Sequence, residues 1–307
     1  MLTLLNRSRL FRFLAGLLLM IALVWAGFAI TIALIPTYGA TAAEQTLALP
    51  GDELLPNSPI DWRHAITIDA APETVWPWII QMGDTRAAFY SYQFIERAVD
   101  ATPGLYVNAD RVHPEWQNPE KGLSIIGTAL YITEYEPGTY LLATAPRDDP
   151  SAMGWTWLWH IAPIADGRTR LNVHMHIQPP AGPSNPLVDH FIGLGAFIME
   201  RNMMSGLKAR AEGGGEPAWI EGAEITLWMM ALLVGLVAAW RYVFGKHWLL
   251  PLAVALSAVV VLFVFTFLQP AVPLRALIAL ALVGSLAWSW LPRGVPVAPK
   301  KSVPQAA

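Results

Sequence analysis

From Phe13 to Ile35 the chain runs for 23 residues without a charge, and this stretch limits what it can become more than any other. At 1.5 Å per helical residue it is long enough to cross the ~30 Å hydrocarbon core of a bilayer. Three more apolar runs follow a long polar middle: Ile225–Phe244, interrupted near its end by Arg241, then Trp248–Leu268 and Ala271–Leu291. The last carries Arg275 one turn in, where a long side chain can snorkel to the interface. Trp228, Trp240, Trp248, Trp288 and Trp290 sit near the expected ends, as interfacial aromatics do. A mean hydropathy of +0.41 is too high for an ordinary soluble chain and agrees with four membrane spans.

The charges are segregated. Between Glu44 and Glu221 lie 22 of the 23 acids and 11 of the 20 bases, a net of −11. An acidic segment of this kind disfavours nucleic acid as a partner, because phosphate binding needs a basic surface. Absence of cysteine excludes disulfides and thiolate chemistry. With four spans, Arg7, Arg9, Arg12, Arg241, Lys246, Arg293, Lys300 and Lys301 fall on one side, which the positive-inside rule makes cytoplasmic. The expected topology is a multi-pass protein of the cell (plasma or inner) membrane with both termini cytoplasmic and the acidic domain outside. The segments are an N-terminus (1–12), a span (13–35), a Pro-rich linker (36–61), the domain (62–212), a Gly-rich linker (213–224), three spans (225–244, 248–268, 271–291) and a tail (292–307). An alternative is a cleaved signal ending near Ala40–Ala42. The apolar run is longer than a usual signal core, which favours an anchor.

Within the domain, "WRHAITIDA" alternates as a strand and "APETVWPWIIQM" reads as a helix, with Pro72 near its start and Pro77 inside it. "SYQFIERAVD" is a second short helix, and "GTALYITEYEPGTYLLATAP" is two strands around Pro137-Gly138. "GWTWLWHIAPIADGRTRLNVHMHIQ" is a hairpin turning at Asp166-Gly167. A long helix follows, with Asn185 as N-cap, Pro186 at its first position and Gly213 as its stop. Leu187, Phe191, Leu194, Ile198 and Leu207 fit a buried stripe. The fold class is α+β, an antiparallel sheet with one long helix packed on it.

This order of elements, with "APETVWPWIIQMG", "FYSYQFIER", "NADRVHPEWQ", "GRTRL" and "IMERNMMSGLKARAE", resembles the START-like, helix-grip superfamily (the SRPBCC group, which includes polyketide cyclase/dehydrase-like proteins) over roughly residues 62–212. The resemblance implies an incomplete sheet around the long C-terminal helix, enclosing a cavity for an apolar ligand. Carriers, sensors and enzymes share this fold, so the resemblance does not choose among them. Similar proteins commonly read "SYD" where this chain has Ser91-Tyr92-Gln93, and carry arginines where it has His174 and His176.

A two-residue loop at Asp166-Gly167 pairs Trp159 with His174 and Trp157 with His176, placing Trp155, Trp157, Trp159, His174 and His176 on one sheet face. His160 and the aliphatic residues then occupy the other face, the better match to the long helix. A one-residue slip would destroy the arrangement. Three tryptophans on an open face need a cover: the Pro-rich segment, a partner, or the membrane interface. The histidines could share a metal, touch a ligand, or stack within the sheet. With His160 on the far face, no metal is assigned.

Asp110, Arg111 and His113 come together before a strand. They read as an acid–base couple with an anion anchor, or as a loop held by charge. Tyr90 and Tyr92 offer phenol donors at a cavity mouth, or are buried with satisfied hydroxyls. Gly193, Gly195 and Gly206 leave room beside the long helix for a ligand or for close packing. Met199, Met203 and Met204 read as adaptable core. No phosphate loop, dinucleotide fingerprint or Ser-His-Asp pattern is present; Ser124, Ser151 and Ser205 lack a nucleophile setting, and no cofactor is expected.

The first functional expectation is a binding module for a lipid or other apolar small molecule, with Trp157, Trp159, His174, His176, Arg111 and Tyr92 as ligand contacts. The second is a polyketide cyclase/dehydrase-like enzyme using Asp110, His113 or the hairpin histidines. The third is a protein-interaction module using the tryptophan face.

Overall fold

A computed structural model of the chain describes residues 8–146, 153–179, 185–215, 217 and 219–291. Arg7, Ser151, Glu216 of the linker, and the tail with Arg293, Lys300 and Lys301 lie outside the described residues.

Helix α1 spans Arg9–Leu34, and α5 (Trp219–Phe244), α6 (Leu249–Phe263) and α7 (Val272–Trp288) follow the domain. α6 continues as one π-helical turn, Val264–Leu268. Three stretches are long and apolar enough to cross a membrane: Arg9–Thr37, Trp219–Phe244 and Leu249–Leu268. The fourth expected span is shorter in the structure. α7 has 17 residues, about 25 Å at the helical rise, below the ~30 Å a span needs. Two compact units divide the chain. In the first, the N-terminal half of α1 meets α5 at Gly16, where an added Cβ would lie 2.6 Å from Tyr242 Cε1. Small residues at such points let apolar helices approach.

The second unit runs from Ala22 to Ile225 and includes Phe263–Pro270. Its sheet contains β1 (Ile60–Ile68), β2 (Ser124–Ile126), β3 (Leu130–Glu136), β4 (Tyr140–Thr144), β5 (Gly154–Ile164) and β6 (Arg168–Gln178). They form one six-stranded sheet in the order β1-β6-β5-β4-β3-β2, with every pairing antiparallel. Helices α2 (Pro72–Ile80) and α3 (Gln93–Val99) lie between β1 and β2, and the long helix α4 (Pro186–Ala211) closes the domain. As expected, Asn185 caps α4, its side chain accepting from Leu187 N and Val188 N. Gly213, at φ 78, ends it. β1 is an edge strand, and the chain leaving α1 covers that edge: Ala65 N donates to Tyr38 O at 3.0 Å. Such a cover removes an open template for strand pairing.

The hairpin departs from its expected register by one residue. Ile164 pairs with Arg168, so the loop has three residues, Ala165 to Gly167, with both Asp166 (φ 64) and Gly167 (φ 67) left-handed. Trp159 therefore faces Val173 and Trp157 faces Met175, while His174 faces Leu158 and His176 faces Thr156. The extra loop residue brings the two bulkiest apolar sets onto one face, namely the tryptophans of β5 with Leu171, Val173, Met175 and Ile177 of β6. That face is the core face: Trp159, Val173 and Met175 are 1%, 0% and 2% exposed. The tryptophans thus lie under α4 rather than pointing away from it. His160, His174 and His176 share the opposite face.

The Pro-rich segment covers this histidine face, not the tryptophans. Gly51 packs on Leu142, Leu55 on Gly154, and Leu47 O accepts from Arg63 Nη1 at 2.9 Å.

The expected stripe on α4 is buried only toward its C-terminal end. Leu207 is fully buried, but Leu187, Val188, Phe191 and Ile192 are half or more exposed. Gly206 marks the closest approach, because a Cβ there would sit 2.1 Å from Tyr90 O.

Candidate functional site

The buried polar node of the domain joins three elements. His64 on β1, Trp157 on β5 and Glu200 on α4 all project into the core between sheet and helix. Glu200 Oε1 bonds His64 Nδ1, and Glu200 Oε2 accepts from Trp157 Nε1 at 3.0 Å. His64 Nε2 meets Ile35 O at 2.6 Å. A carbonyl only accepts, so Nε2 carries a proton, and a second proton is shared between Nδ1 and the carboxyl. The pair is neutral as a unit, with both imidazole nitrogens and both carboxyl oxygens partnered. A charged or polar pair survives such burial only when satisfied in this way. Trp62 stacks on His64 with ring centroids 5.2 Å apart, and Phe197 packs edge-on at 5.5 Å. The node holds fixed the chain just past α1, since Ile35 is one of its ligands. Arg201, over the Tyr38 ring at 5.1 Å, adds a second tie to that segment.

Beside this node is a cleft of about 330 Å³. The end of α1 and the turn after it contribute Ile32, Ile35 and Pro36, and the start of β1 with the residue before it contributes Pro59, Ile60 and Trp62. The first two turns of α4 supply Pro186, Asp189, His190 and Gly193. Gly193 lines the cleft, and an added Cβ there would lie 3.2 Å from Trp62 Cζ2, the close packing that was one of its two expected uses. The volume is at the small end of ligand pockets, and the walls are predominantly apolar, as in such pockets. Thr31 Oγ1 donates to Phe28 O at 2.7 Å, so it accepts from His190 Nε2 at 3.0 Å. The His190 ring lies against Phe28, centroids 4.4 Å apart, and burial lowers its pKa. Burial of this kind favours the neutral imidazole.

The hairpin histidines form a separate cluster under the Pro-rich segment. His174 Nδ1 donates to Asp52 Oδ1 at 3.1 Å, and His176 Nε2 lies 3.4 Å from Asp61 Oδ1. Thr156 Oγ1 meets His176 Nδ1 at 3.0 Å, and Arg63 bridges Asp52 and Asp61. The bond from His176, opposed by burial and aided by Arg63, holds the Asp61 carboxyl down to about 2. Burial alone would raise Asp52, but bonds from His174 and Leu49 N, with the charge of Arg63, lower it. Burial, with His174 nearby, lowers the His160 pKa. Among the described residues no group of three or more His, Asp or Glu is placed to hold a metal ion.

The other expected residues are scattered. Asp110 and Arg111 are exposed. His113 stacks on Trp116 and pairs with Glu115 at 3.1 Å rather than with Asp110. Tyr92 is buried at the start of α3. The Tyr90 hydroxyl donates to Trp78 O and accepts from Gln81 Nε2, both at 2.9 Å, and burial pushes its pKa up. Trp157, Trp159, His174, His176, Arg111 and Tyr92 do not line the cleft; Trp157 is linked to it through Glu200 and His64. Sequence reasoning missed Trp62, Asp189, His190 and the node. Their available signal was an Asp-His pair inside the otherwise apolar start of a long helix.

No family model and no curated protein matches the chain. Among solved structures it is similar to protein CV1439 from Chromobacterium violaceum, at 16% identity over 50% of this chain and 98% of that one, with a TM-score of 0.29. A protein from Thermobifida fusca matches at 15% identity over 50% and 94%, with a TM-score of 0.28. The Aha1 dimer from Colwellia psychrerythraea matches at 15% over 51% and 99%, with a TM-score of 0.26.

Proposed function

We propose that this chain is a multi-pass membrane protein whose domain, a helix-grip fold held outside the membrane, binds a lipid or another apolar small molecule as a carrier or sensor. The cleft at the end of α1 carries the reading. α1 is a span by length and hydropathy, so its last turns lie at or near bilayer depth. Phe28 and Thr31, within those turns, touch Phe191 and His190 of α4. The half-exposed Leu187, Val188, Phe191 and Ile192 therefore flank the cleft at the same depth, where apolar exposure carries no cost. Gln269, in the turn between α6 and α7, donates to Ile198 O at 2.9 Å, which supports placing that turn on the domain's side. The long helix against an antiparallel sheet fits the helix-grip expectation. The tryptophan face is core, and Asp110 and His113 do not converge on the cleft, so no second reading is carried forward.

The test is native mass spectrometry of the full chain released from lipid nanodiscs. The wild type is expected to retain one lipid or apolar adduct. Gly193→Leu, which places a branched side chain against Trp62 inside the cleft, is expected to lose it. Identical adducts on both proteins, or none on either, would overturn the proposal.

A further inference from the structure

The apolar walls of the cleft do not account for Asp189. Asp189 is 9% exposed as a residue and lines the cleft. Among the described residues it makes no side-chain hydrogen bond, ion pair or ring contact. It lies in the first turn of α4, where the helix end supplies partial positive charge. Asn185 already takes the amides there, accepting from Leu187 N at 3.1 Å and Val188 N at 3.4 Å. His190 spends its Nε2 proton on Thr31 and burial disfavours its charged form, and no other lining side chain can carry a charge. An unpaired carboxylate set among apolar cleft walls attracts a positive partner. The cleft also has an aromatic wall, Trp62, a surface that attracts organic cations.

We propose that the cleft takes an amphiphile with a cationic nitrogen drawn from the bilayer, Asp189 pairing with the ammonium while the apolar body lies against Ile32, Ile60 and Trp62. The inference rests on the lipid-binding reading above and names its ligand class. A bilayer source follows from the cleft walls, since α1 supplies one and Phe191 and Leu187 flank another.

The full chain in nanodiscs is labelled with two photoactivatable probes of equal chain length, an alkylamine and an alkyl alcohol, and the labelled peptides are mapped. The wild type is expected to show about tenfold more amine than alcohol label on residues 59–62 and 186–193, the ratio that ~1.4 kcal/mol of preference gives. Asp189→Asn should reduce amine labelling to the alcohol level while leaving the alcohol label intact, which also reports that the variant is folded. Asp189→Glu should keep the preference. Equal labelling of the wild type by both probes, or an amine preference that survives Asp189→Asn, overturns the inference but leaves lipid binding standing. Labelling by neither probe overturns the lipid-binding reading itself. Excess water-soluble ethylamine should leave the label in place, and its displacing the probe would overturn the bilayer source.

Discussion

Replacing Glu200 separates the contribution of hydrogen bonding in the node from that of charge. Glu200→Ala leaves His64 Nδ1 and the Trp157 indole N–H without partners in a region where Glu200 is 1% exposed and His64 0%. Each orphaned buried group costs roughly 1–3 kcal/mol, and the lost side chain leaves a void. Removing one member of a buried ion pair costs about 3–5 kcal/mol, in the same range. Glu200→Gln is different. Its amide oxygen can accept from Trp157, and its NH₂ can donate to His64 Nδ1 while Nε2–H still serves Ile35 O. All partners then remain satisfied with a neutral imidazole, and the cost should stay within about 1.5 kcal/mol. At ~2–4 °C per kcal/mol for a domain of this size, Glu200→Ala should lower the apparent Tm by about 10 °C and Glu200→Gln by about 5 °C or less. The assay is thermal unfolding of the full chain in nanodiscs by tryptophan fluorescence, at one scan rate because membrane-protein unfolding is often irreversible. Equal losses for both variants would refute the neutral, satisfied network. An alanine variant within 2 °C of wild type would refute the node as a stabilising element.

Two further predictions concern pH. Glu96 is buried with both oxygens unpartnered, and burial, together with Glu221, pushes its pKa up to about 8. A raised carboxyl stabilises the fold below its unfolded pKa of ~4.3, and that contribution is lost as pH rises toward 8, by about 1.4 kcal/mol per pH unit. Glu96→Gln should flatten the Tm profile between pH 5 and 8, and parallel profiles for wild type and variant would argue against it. The Pro-rich segment behaves in the opposite sense. The bond to Arg170 holds Glu44 down to about 2, and Asp52 and Asp61 are also lowered. Their contributions are present above the unfolded carboxyl pKa of ~4 and are lost as pH falls toward 2. Hydrogen exchange, corrected for intrinsic rates, should show residues 44–58 opening at pH 3 while β5 and β6 stay protected; unchanged protection of 44–58 would count against these anchors.

Features set by local chemistry were legible in the sequence. The Asn185-Pro186 start and Gly213 stop of α4 depend on neighbouring amides and one left-handed residue, and both are where their chemistry puts them. The strands around Pro137-Gly138 likewise follow from a turn and an alternation. The hairpin faces were not legible, because Asp166-Gly167 suits either a two- or a three-residue loop. Only packing decides between them. With one residue more in the loop, eight bulky side chains of β5 and β6, Ile161 among them, share the core face, and the histidines pass to the face that Asp52 and Arg63 cover. Leu187 and Phe191 were misassigned for a related reason: periodicity marks an apolar face on α4 without saying whether protein or lipid covers it.

The node was hidden because its members are 136 and 43 residues apart in sequence and because its fourth partner is a backbone carbonyl, which no residue type signals. That carbonyl links the domain's interior to the end of α1. Ile35 and Trp62 both line the cleft, and both hold His64, Ile35 through its oxygen and Trp62 by stacking. A ligand that shifts the end of α1 must therefore either carry His64 and Glu200 with it or break a fully buried bond. Breaking it leaves a buried donor unpaired, a cost of roughly 1–3 kcal/mol. Such coupling favours a cleft of fixed shape, and under the proposed lipid binding the charge at Asp189, rather than plasticity of the walls, is where discrimination between ligands should arise.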